Sequence, residues 1–259
     1  MQPRKHRIWQ LAAAIALPLA LSHCTADGKF NTEAAIGIGM GALQAGTLSE
    51  DQVKQAASLS AQEMDSKSTV ASANSPYTQR LQRLTSGLAS ASGLNLNFKV
   101  YETRELNAFA MADGTVRVYS GLMDVMPDDQ ILAVIGHEIG HVKLKHSYKQ
   151  LKETLLTDTA FKAVGSVGGN IGALTQGELG KLAESAINAR FSQKDELEAD
   201  AFSVRTLAKM GKNPIAMRNA ILTLKQHVGD NSSFLSSHPS NDARIANIDE
   251  AIRKLGAAK

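Results

Sequence analysis

Residues 127–143 read PDDQILAVIGHEIGHVK and hold the motif on which the fold and the chemistry of this chain depend. Pro127 is followed by two aspartates, which are favourable in the first turn of a helix, and an apolar run comes next. The segment therefore predicts a strong helix that carries His137 and His141. Because residues four apart lie just over one turn apart, both imidazole rings project from one face of that helix.

Two histidines at this spacing can occupy two corners of a tetrahedral zinc site. Glu138 follows the first of them, within reach of a water molecule that zinc makes more acidic, so it can act as a general base. The alternative is that His137 and His141 only happen to face the core. The zinc interpretation predicts one Zn²⁺ per chain and chemistry that activates water.

A catalytic zinc ion needs a third protein ligand and an open position. Cysteine is excluded, because the only cysteine, Cys24, ends an N-terminal leader. The best candidate is Glu196 in the sequence DELEAD, since Asp200 lies one turn further along the same helical face. Asp200 can accept the second N–H of a ligating histidine and fix its tautomer. The alternative is that this acidic run is a solvated helix face.

Three further histidines follow the motif. His146 is predicted to be a helix-end histidine whose ring lies near the C-terminal carbonyl groups of the motif helix. His227 is predicted to be structural. His238 precedes Pro239 in a polar loop between two helical stretches, and sequence spacing does not place it relative to the zinc.

The rest of the pattern predicts a mostly helical α+β domain with a small sheet. Ser49 and Gln52 can form a capping box before a first helix. A second helix is expected from Ser75-Pro76, with leucines at helical spacing until Gly93. Alternating apolar residues from Leu94 to Val100 then predict a half-buried strand.

Two glycine-containing segments add to this prediction. Residues 107–112 and 115–119 flank Asp113-Gly114, a dipeptide that favours a two-residue turn, so a hairpin is expected beside the motif helix. Six glycines lie between Gly165 and Gly180. They are too many for a stable uninterrupted helix, and a mobile segment is expected there.

Residues 1–23 have the layout of a secretory signal, in which basic residues precede an apolar stretch, Ile8 to Leu21, that is too short to span a membrane. The sequence Leu-Ser-His-Cys that ends at Cys24 resembles a bacterial lipobox, so Cys24 is expected to carry a lipid anchor. The alternative is ordinary cleavage after Ser22, which leaves a free thiol. Residues 24–259 are predicted to form a single metallopeptidase domain.

The composition narrows the class of protein. With 43% hydrophobic and 20% charged residues, the chain suits a globular domain with a real core, which excludes disordered and collagen-like classes. The formal net charge is +3, and it falls to zero without the three basic residues of the leader. A nucleic-acid-binding face is therefore not indicated.

Five segments, in order, resemble the zinc metalloendopeptidase family that includes HtpX and the CAAX prenyl proteases. They are Asn107-Ala108-Phe109-Ala110, Val118 to Leu122, His137 to His141, Glu196 to Asp200, and His238-Pro239 with Arg244. The resemblance implies a gluzincin-type fold with a small sheet beside the active-site helix. It also implies zinc held by His137, His141 and Glu196, with Glu138 as catalytic base and Asp200 behind a ligand.

The resemblance suggests roles for three further segments. Residues Asn107 to Ala110 resemble an edge strand that pairs with an extended substrate, which backbone hydrogen bonding also favours, although they could be one arm of a core hairpin. His238 is a candidate for a fourth, inhibitory zinc ligand that must leave before water is activated. Arg244 either positions substrate or an oxyanion, or only anchors its loop.

The chain is therefore interpreted as a zinc endopeptidase of the bacterial cell envelope that cleaves misfolded or misassembled envelope proteins. It is expected in the periplasm on a lipid anchor, and Thr25 after the cysteine resembles the sorting signal of outer-membrane lipoproteins. One alternative is a zinc-stabilised periplasmic chaperone or assembly factor for outer-membrane proteins. Another is a peptidase that stays latent until His238 or the Gly165 to Gly180 segment moves. No oligomeric state is predicted.

Overall fold

The computed structural model describes residues 48–157, 171–188, 190–228, 233–239 and 242–257. The predicted leader, with Cys24, and residues 165–170 of the glycine-rich segment lie outside the described residues. No helix in the described ranges is long and apolar enough to cross a membrane.

The described residues confirm a mostly helical α+β fold with one small sheet. In chain order the elements are α1 (Glu50–Lys67), α2 (Pro76–Thr85), α3 (Leu88–Ser92), β1 (Asn97–Tyr101), β2 (Ala108–Ala110), β3 (Thr115–Tyr119), α4 (Ser120–Val125), α5 (Asp128–Lys143), α6 (His146–Thr157), a 3₁₀ turn (Ile171–Ala173), α7 (Gln176–Ile187), α8 (Gln193–Lys209), α9 (Ala216–Val228), α10 (Ser233–Ser237) and α11 (Asp242–Ala257).

The first helices begin where the sequence predicts. Ser49 and Gln52 form the capping box of α1, because each side chain bonds a backbone N–H of the other. The side chain of Ser75 accepts from the first turn of α2. The single helix expected from there to Gly93 is wrong, because the chain is interrupted at Gly87 and continues as the separate short helix α3.

The sheet has the strand order β1-β3-β2, with β1 parallel and β2 antiparallel to the central strand β3. The strand predicted from Leu94 is shorter than expected and begins at Asn97. Every residue of β3 is buried, since both its edges are paired and α-helices cover the sheet. This position fixes β2 at one edge of the sheet, next to α5.

The β2–β3 hairpin is confirmed, but its turn is not the predicted two-residue type. Met111 lies opposite Thr115, and its N–H donates to that carbonyl, so the loop has three residues. Gly114 ends this loop at φ +93°. A Cβ there would lie 2.0 Å from the Asn95 carbonyl oxygen, so the loop requires glycine.

Helix α5 crosses the core and is buried without interruption from Ile131 to His141. It packs along α8 at very close range: a Cβ on Gly140 would lie 3.1 Å from the Cα of Ala199. Ser203 of α8 also donates a hydrogen bond of 2.7 Å to the Ala133 carbonyl of α5. The missing side chain at Gly140 therefore lets the two helices bring their polar faces together.

Part of the glycine-rich segment has regular structure. Between residues 171 and 180 the chain forms the 3₁₀ turn and the first turns of α7, where Thr175 and Glu178 make a capping box. Leu179 on this helix is buried. Glycine does not prevent a helix in this half of the segment.

Candidate metal centre

Helix α5 places His137 and His141 side by side in the interior. Both side chains are fully buried, and their Nε2 atoms lie 3.1 Å apart. The helical spacing of four residues brings the rings to one face, as the sequence predicts.

Helix α8 supplies the carboxylate that faces these rings. Glu196 Oε1 lies 3.5 Å from His141 Nε2, and Oε2 lies 3.6 Å from His137 Nε2. Burial opposes ionisation of Glu196, but the neighbouring histidines outweigh it and lower the pKa of this carboxyl. Glu196 therefore presents a charged oxygen to both rings.

His238 completes the cluster from the other end of the chain. Its Nδ1 lies 2.9 Å from Glu196 Oε1 and 3.2 Å from His137 Nε2. Its backbone N–H donates to the carbonyl of Phe234 in the first turn of α10, and the rings of Phe234 and His238 stack with centroids 4.7 Å apart. The structure thus places a residue that sequence spacing left unplaced.

The four side chains fit a metal ion. The ligand atoms of His137, His141, Glu196 and His238 all lie within 4.8 Å of one another. Zinc bonds of about 2.0–2.1 Å place tetrahedral ligand atoms roughly 3.3 Å apart. The separations between neighbouring ligand atoms here run from 2.9 to 3.6 Å and bracket that distance. Imidazole nitrogens and a carboxylate are also the ligand types that zinc takes.

Glu138 lies beside this cluster with only 2% of its surface exposed. Its carboxylate faces the backbone of Ala110, and Oε1 lies 3.5 Å from His238 Nε2. Within the described residues, Oε1 accepts no hydrogen bond. Burial raises the pKa of Glu138, which makes it a stronger base than a solvated carboxylate.

Asp200 and Arg244 form a buried pair behind His137. Asp200 Oδ1 lies 2.8 Å from His137 Nδ1, and Arg244 donates to both oxygens of Asp200. Arg244 also donates to the His238 carbonyl at 3.0 Å and contacts Glu196 Oε2 at 2.8 Å. Arg244 has no exposed surface, and these contacts join the His238 loop to Asp200 and Glu196.

The outer edge of β2 is next to Glu138. Asn107 and Met111 bond to β3, so the backbone groups of Ala108 and Ala110 point the other way. The Asn107 side chain accepts from the Ala108 N–H, and the Ser147 hydroxyl donates to the Ala110 carbonyl at 3.2 Å. Side chains of the chain itself therefore occupy the edge.

The space between β2, α6 and His238 is nearly closed. A cavity of about 10 Å³ remains there, lined among others by Phe109, Glu138 and Leu151. That volume suffices for about one water molecule and is far too small for an extended peptide. In the described arrangement the space beside β2 and Glu138 is therefore closed to a peptide.

Sequence reasoning missed two aromatic neighbours of His141. His146 begins α6 instead of ending the motif helix, and its ring contacts His141 rather than carbonyl groups, so the helix-end prediction is wrong. Phe191 stacks on His141 with ring centroids 3.8 Å apart. Phe191 precedes α8 outside any helix, so no periodic signal marks it.

Comparisons with known proteins agree with this geometry. The family described as peptidase family M48 matches residues 76–252. Metalloprotease LoiP of Escherichia coli (strain K12) is 40% identical over 93% of this chain and 96% of its own length. Metalloprotease YcaL of the same strain is 39% identical over 94% and 97%. A putative beta-barrel assembly-enhancing protease of Vibrio cholerae is 27% identical over 66% of this chain and 38% of its own length.

Proposed function

Because this chain belongs to peptidase family M48 and is a metalloendopeptidase, we propose that it is a zinc enzyme of the bacterial cell envelope that hydrolyses misfolded or misassembled envelope proteins. The observation that carries the proposal is the convergence of His137, His141 and Glu196 beside the buried carboxylate of Glu138. A structural cluster would have no need of an unsatisfied base next to it.

In this proposal His137, His141 and Glu196 hold one zinc ion. When bound, zinc lowers the pKa of a water molecule and polarises a peptide carbonyl. Glu138 takes the proton of the attacking water on its carboxylate and passes it to the leaving amine. Asp200 holds the Nδ1–H of His137, which keeps Nε2 directed at the cluster. No side chain forms a covalent bond to the substrate.

The proposed substrate site is the edge strand Asn107 to Ala110. An extended peptide would displace the Asn107 and Ser147 side chains and pair with the outward backbone groups of Ala108 and Ala110, next to Glu138. Such pairing gives little side-chain selectivity and suits unfolded substrates. A set of peptides N-methylated at successive amides tests it: cleavage should fail at alternate positions, and equal cleavage of the whole set would contradict edge pairing.

We propose that the described arrangement is a latent form, with His238 as a fourth, inhibitory ligand. His238 lies closer to Glu196, at 2.9 Å, than the motif histidines do, at 3.5 and 3.6 Å, and its Nε2 faces the base Glu138. A fourth protein ligand would fill the position that catalysis needs open. Release of the His238 loop would restore that position and enlarge the cavity beside β2.

The envelope location is proposed from the leader and from one relative. Residues 1–23 have the pattern of an export signal, and Cys24 is the proposed lipid anchor to the outer membrane. One relative is named a beta-barrel assembly-enhancing protease, and β-barrels span bacterial outer membranes. Separation of inner and outer membranes tests the location, with Cys24→Ala expected to release the protein from the membrane fraction.

The second candidate is a zinc-stabilised periplasmic chaperone or assembly factor for outer-membrane proteins. The four-ligand cluster favours it, since structural zinc is fully ligated. The base Glu138 beside the cluster disfavours it, because holding a client needs no proton acceptor.

The decisive experiment compares wild type with Glu138→Gln, both zinc-loaded and both checked for folding, on a permanently unfolded protein substrate. The substitution keeps the shape of the side chain and removes the base. Cleavage by wild type alone would establish the peptidase. Cleavage by both would refute Glu138 as base, and cleavage by neither, with zinc bound, would favour latency or the chaperone function.

A further inference from the structure

His141 has a ring contact on the side that faces away from the cluster. Its Nδ1 lies 3.1 Å from Nδ1 of His146, whose side chain is almost completely buried. The other motif histidine, His137, contacts a carboxylate on the corresponding nitrogen, Asp200 Oδ1 at 2.8 Å. Both motif histidines thus have a buried polar partner behind them, but the partners differ in kind.

The protons in this contact can be assigned from chemistry. If His141 directs the lone pair of Nε2 at a metal ion, its proton must be on Nδ1. His146 must then accept at its own Nδ1 and carry its proton on Nε2. That nitrogen lies 3.2 Å from Glu198 Oε2 and 3.3 Å from Asp195 Oδ1, so acceptors are present where the assignment requires them.

The backbone between the two rings is in an unusual conformation. Lys145, the second of the two residues between α5 and α6, has φ +64°, and it is the only non-glycine residue with positive φ in the described ranges. This conformation costs free energy for a residue with a Cβ and persists where surrounding contacts impose it. The left-handed conformation of Lys145 reverses the chain after α5 and brings the His146 ring into contact with His141. Lys145 is also held by Glu50 at 2.7 Å.

We propose that His146 is a positioning residue for the metal centre. It accepts the Nδ1–H of His141 and donates its own Nε2–H to the carboxylates of Asp195 and Glu198. His146 thereby fixes the tautomer and the orientation of His141, as Asp200 does for His137. The inference rests on the metal site of the proposed function and adds a second support to it.

The test is metal affinity, measured by chelator competition on folded protein, with the visible spectrum of the cobalt-substituted protein as a second readout. His146→Leu removes the acceptor and should weaken zinc binding by about 10- to 100-fold and alter the cobalt spectrum. His146→Asn keeps an acceptor near the Nδ1 position and should recover most of the affinity. His227→Leu is the matched control, because His227 is exposed and, among the described residues, bonds a carbonyl of its own helix.

A further variant tests the contacts of His146 with the carboxylates of Asp195 and Glu198. Asp195 and Glu198 are partly exposed, so Asp195→Asn combined with Glu198→Gln should fold and should weaken affinity less than His146→Leu does. This variant keeps the question answerable if the leucine variant fails to fold.

The outcomes separate the inference from the proposed function. Absence of zinc from wild type would refute the metal site itself. Zinc bound equally by wild type, His146→Leu and the double variant would overturn the positioning role alone, as would equal losses in the leucine and asparagine variants. Two zinc ions in wild type and one in His146→Leu would show that His146, Asp195 and Glu198 bind a metal of their own, which also overturns it.

Discussion

His238 Nδ1 lies 3.2 Å from His137 Nε2, although the two residues are 101 positions apart in the chain. The contact depends on the loop after α10, which Arg244 holds by donating to the His238 carbonyl. The same guanidinium bonds Asp200 behind His137. A single buried arginine therefore links the loop that closes the site to the support of a proposed ligand.

Replacing His238 should activate the enzyme. In His238→Ala the ring between Glu196 and Glu138 is gone, so water and substrate can reach the base, and turnover of an unfolded substrate should rise. An increase of about tenfold would correspond to removing about 1.4 kcal/mol of preference for the closed form. Turnover is measured per bound zinc, with His227→Ala as control. Unchanged zinc coordination and unchanged turnover would contradict the inhibitory role.

The sequence predicted those parts of the site that depend on local geometry. The spacing of His137 and His141, and that of Glu196 and Asp200, each place two side chains on one helical face, and a helix has the same geometry wherever it packs. The sequence also predicted that these two helical faces lie together, because a catalytic zinc ion with two histidine ligands needs a third protein ligand.

The remaining parts depend on contacts that no local pattern encodes. The place of His238 follows from Arg244 and from packing on Phe234. The place of His146 follows from the left-handed conformation of Lys145, which sequence propensity disfavours. The three-residue loop that ends at Gly114 follows from the β2–β3 register, which is set by burial of the strands and not by the turn dipeptide alone.

Removal of the metal should destabilise the protein. Without a cation the buried carboxylates of Glu196 and Glu138 lie on the two sides of the His238 ring in a closed interior, and burial disfavours charge there. A ligand at a thousandfold excess over its Kd stabilises by about 4 kcal/mol. Thermal unfolding should therefore shift to lower temperature in a chelator and recover with zinc. An identical Tm with and without chelator would contradict a metal bound at this cluster.

Filling the contact between α5 and α8 should damage both stability and activity. In Gly140→Ala the new methyl group would lie 3.1 Å from the Ala199 Cα and 3.2 Å from its carbonyl oxygen, which are backbone atoms that cannot turn aside. The helices must separate, at a cost of about 1–3 kcal/mol, and the distance between the motif histidines and Glu196 grows. Urea denaturation and turnover measure the two effects.

The matched control for that substitution is Gly256→Ala in α11, where no atom lies within 4 Å of the new Cβ. This change should leave stability unaltered or raise it by about 0.5–1 kcal/mol, because alanine is the better helix former. Equal losses at both positions would mean that the close approach of α5 and α8 is not what Gly140 provides.

A buried ion pair away from the site should give the fold a distinct acid dependence. Asp65 of α1 accepts from Arg117 of β3 at 2.8 and 2.9 Å, and Arg117 is only 2% exposed. Burial opposes ionisation of Asp65, but the hydrogen bonds from Arg117 and Lys99 outweigh it and lower its pKa. A carboxyl whose pKa is lowered by folding stabilises the protein above its unfolded pKa of about 3.9, and that stability is lost as the pH falls through the lower folded value.

Asp65→Asn should therefore cost about 3 kcal/mol at neutral pH, and the difference from wild type should shrink in acid. Urea denaturation between pH 7 and pH 3 measures it, with Glu250→Gln at the exposed Arg253 pair as a control that should cost much less, because solvent screens that pair. A difference that stays constant down to pH 3 would contradict the lowered pKa of Asp65.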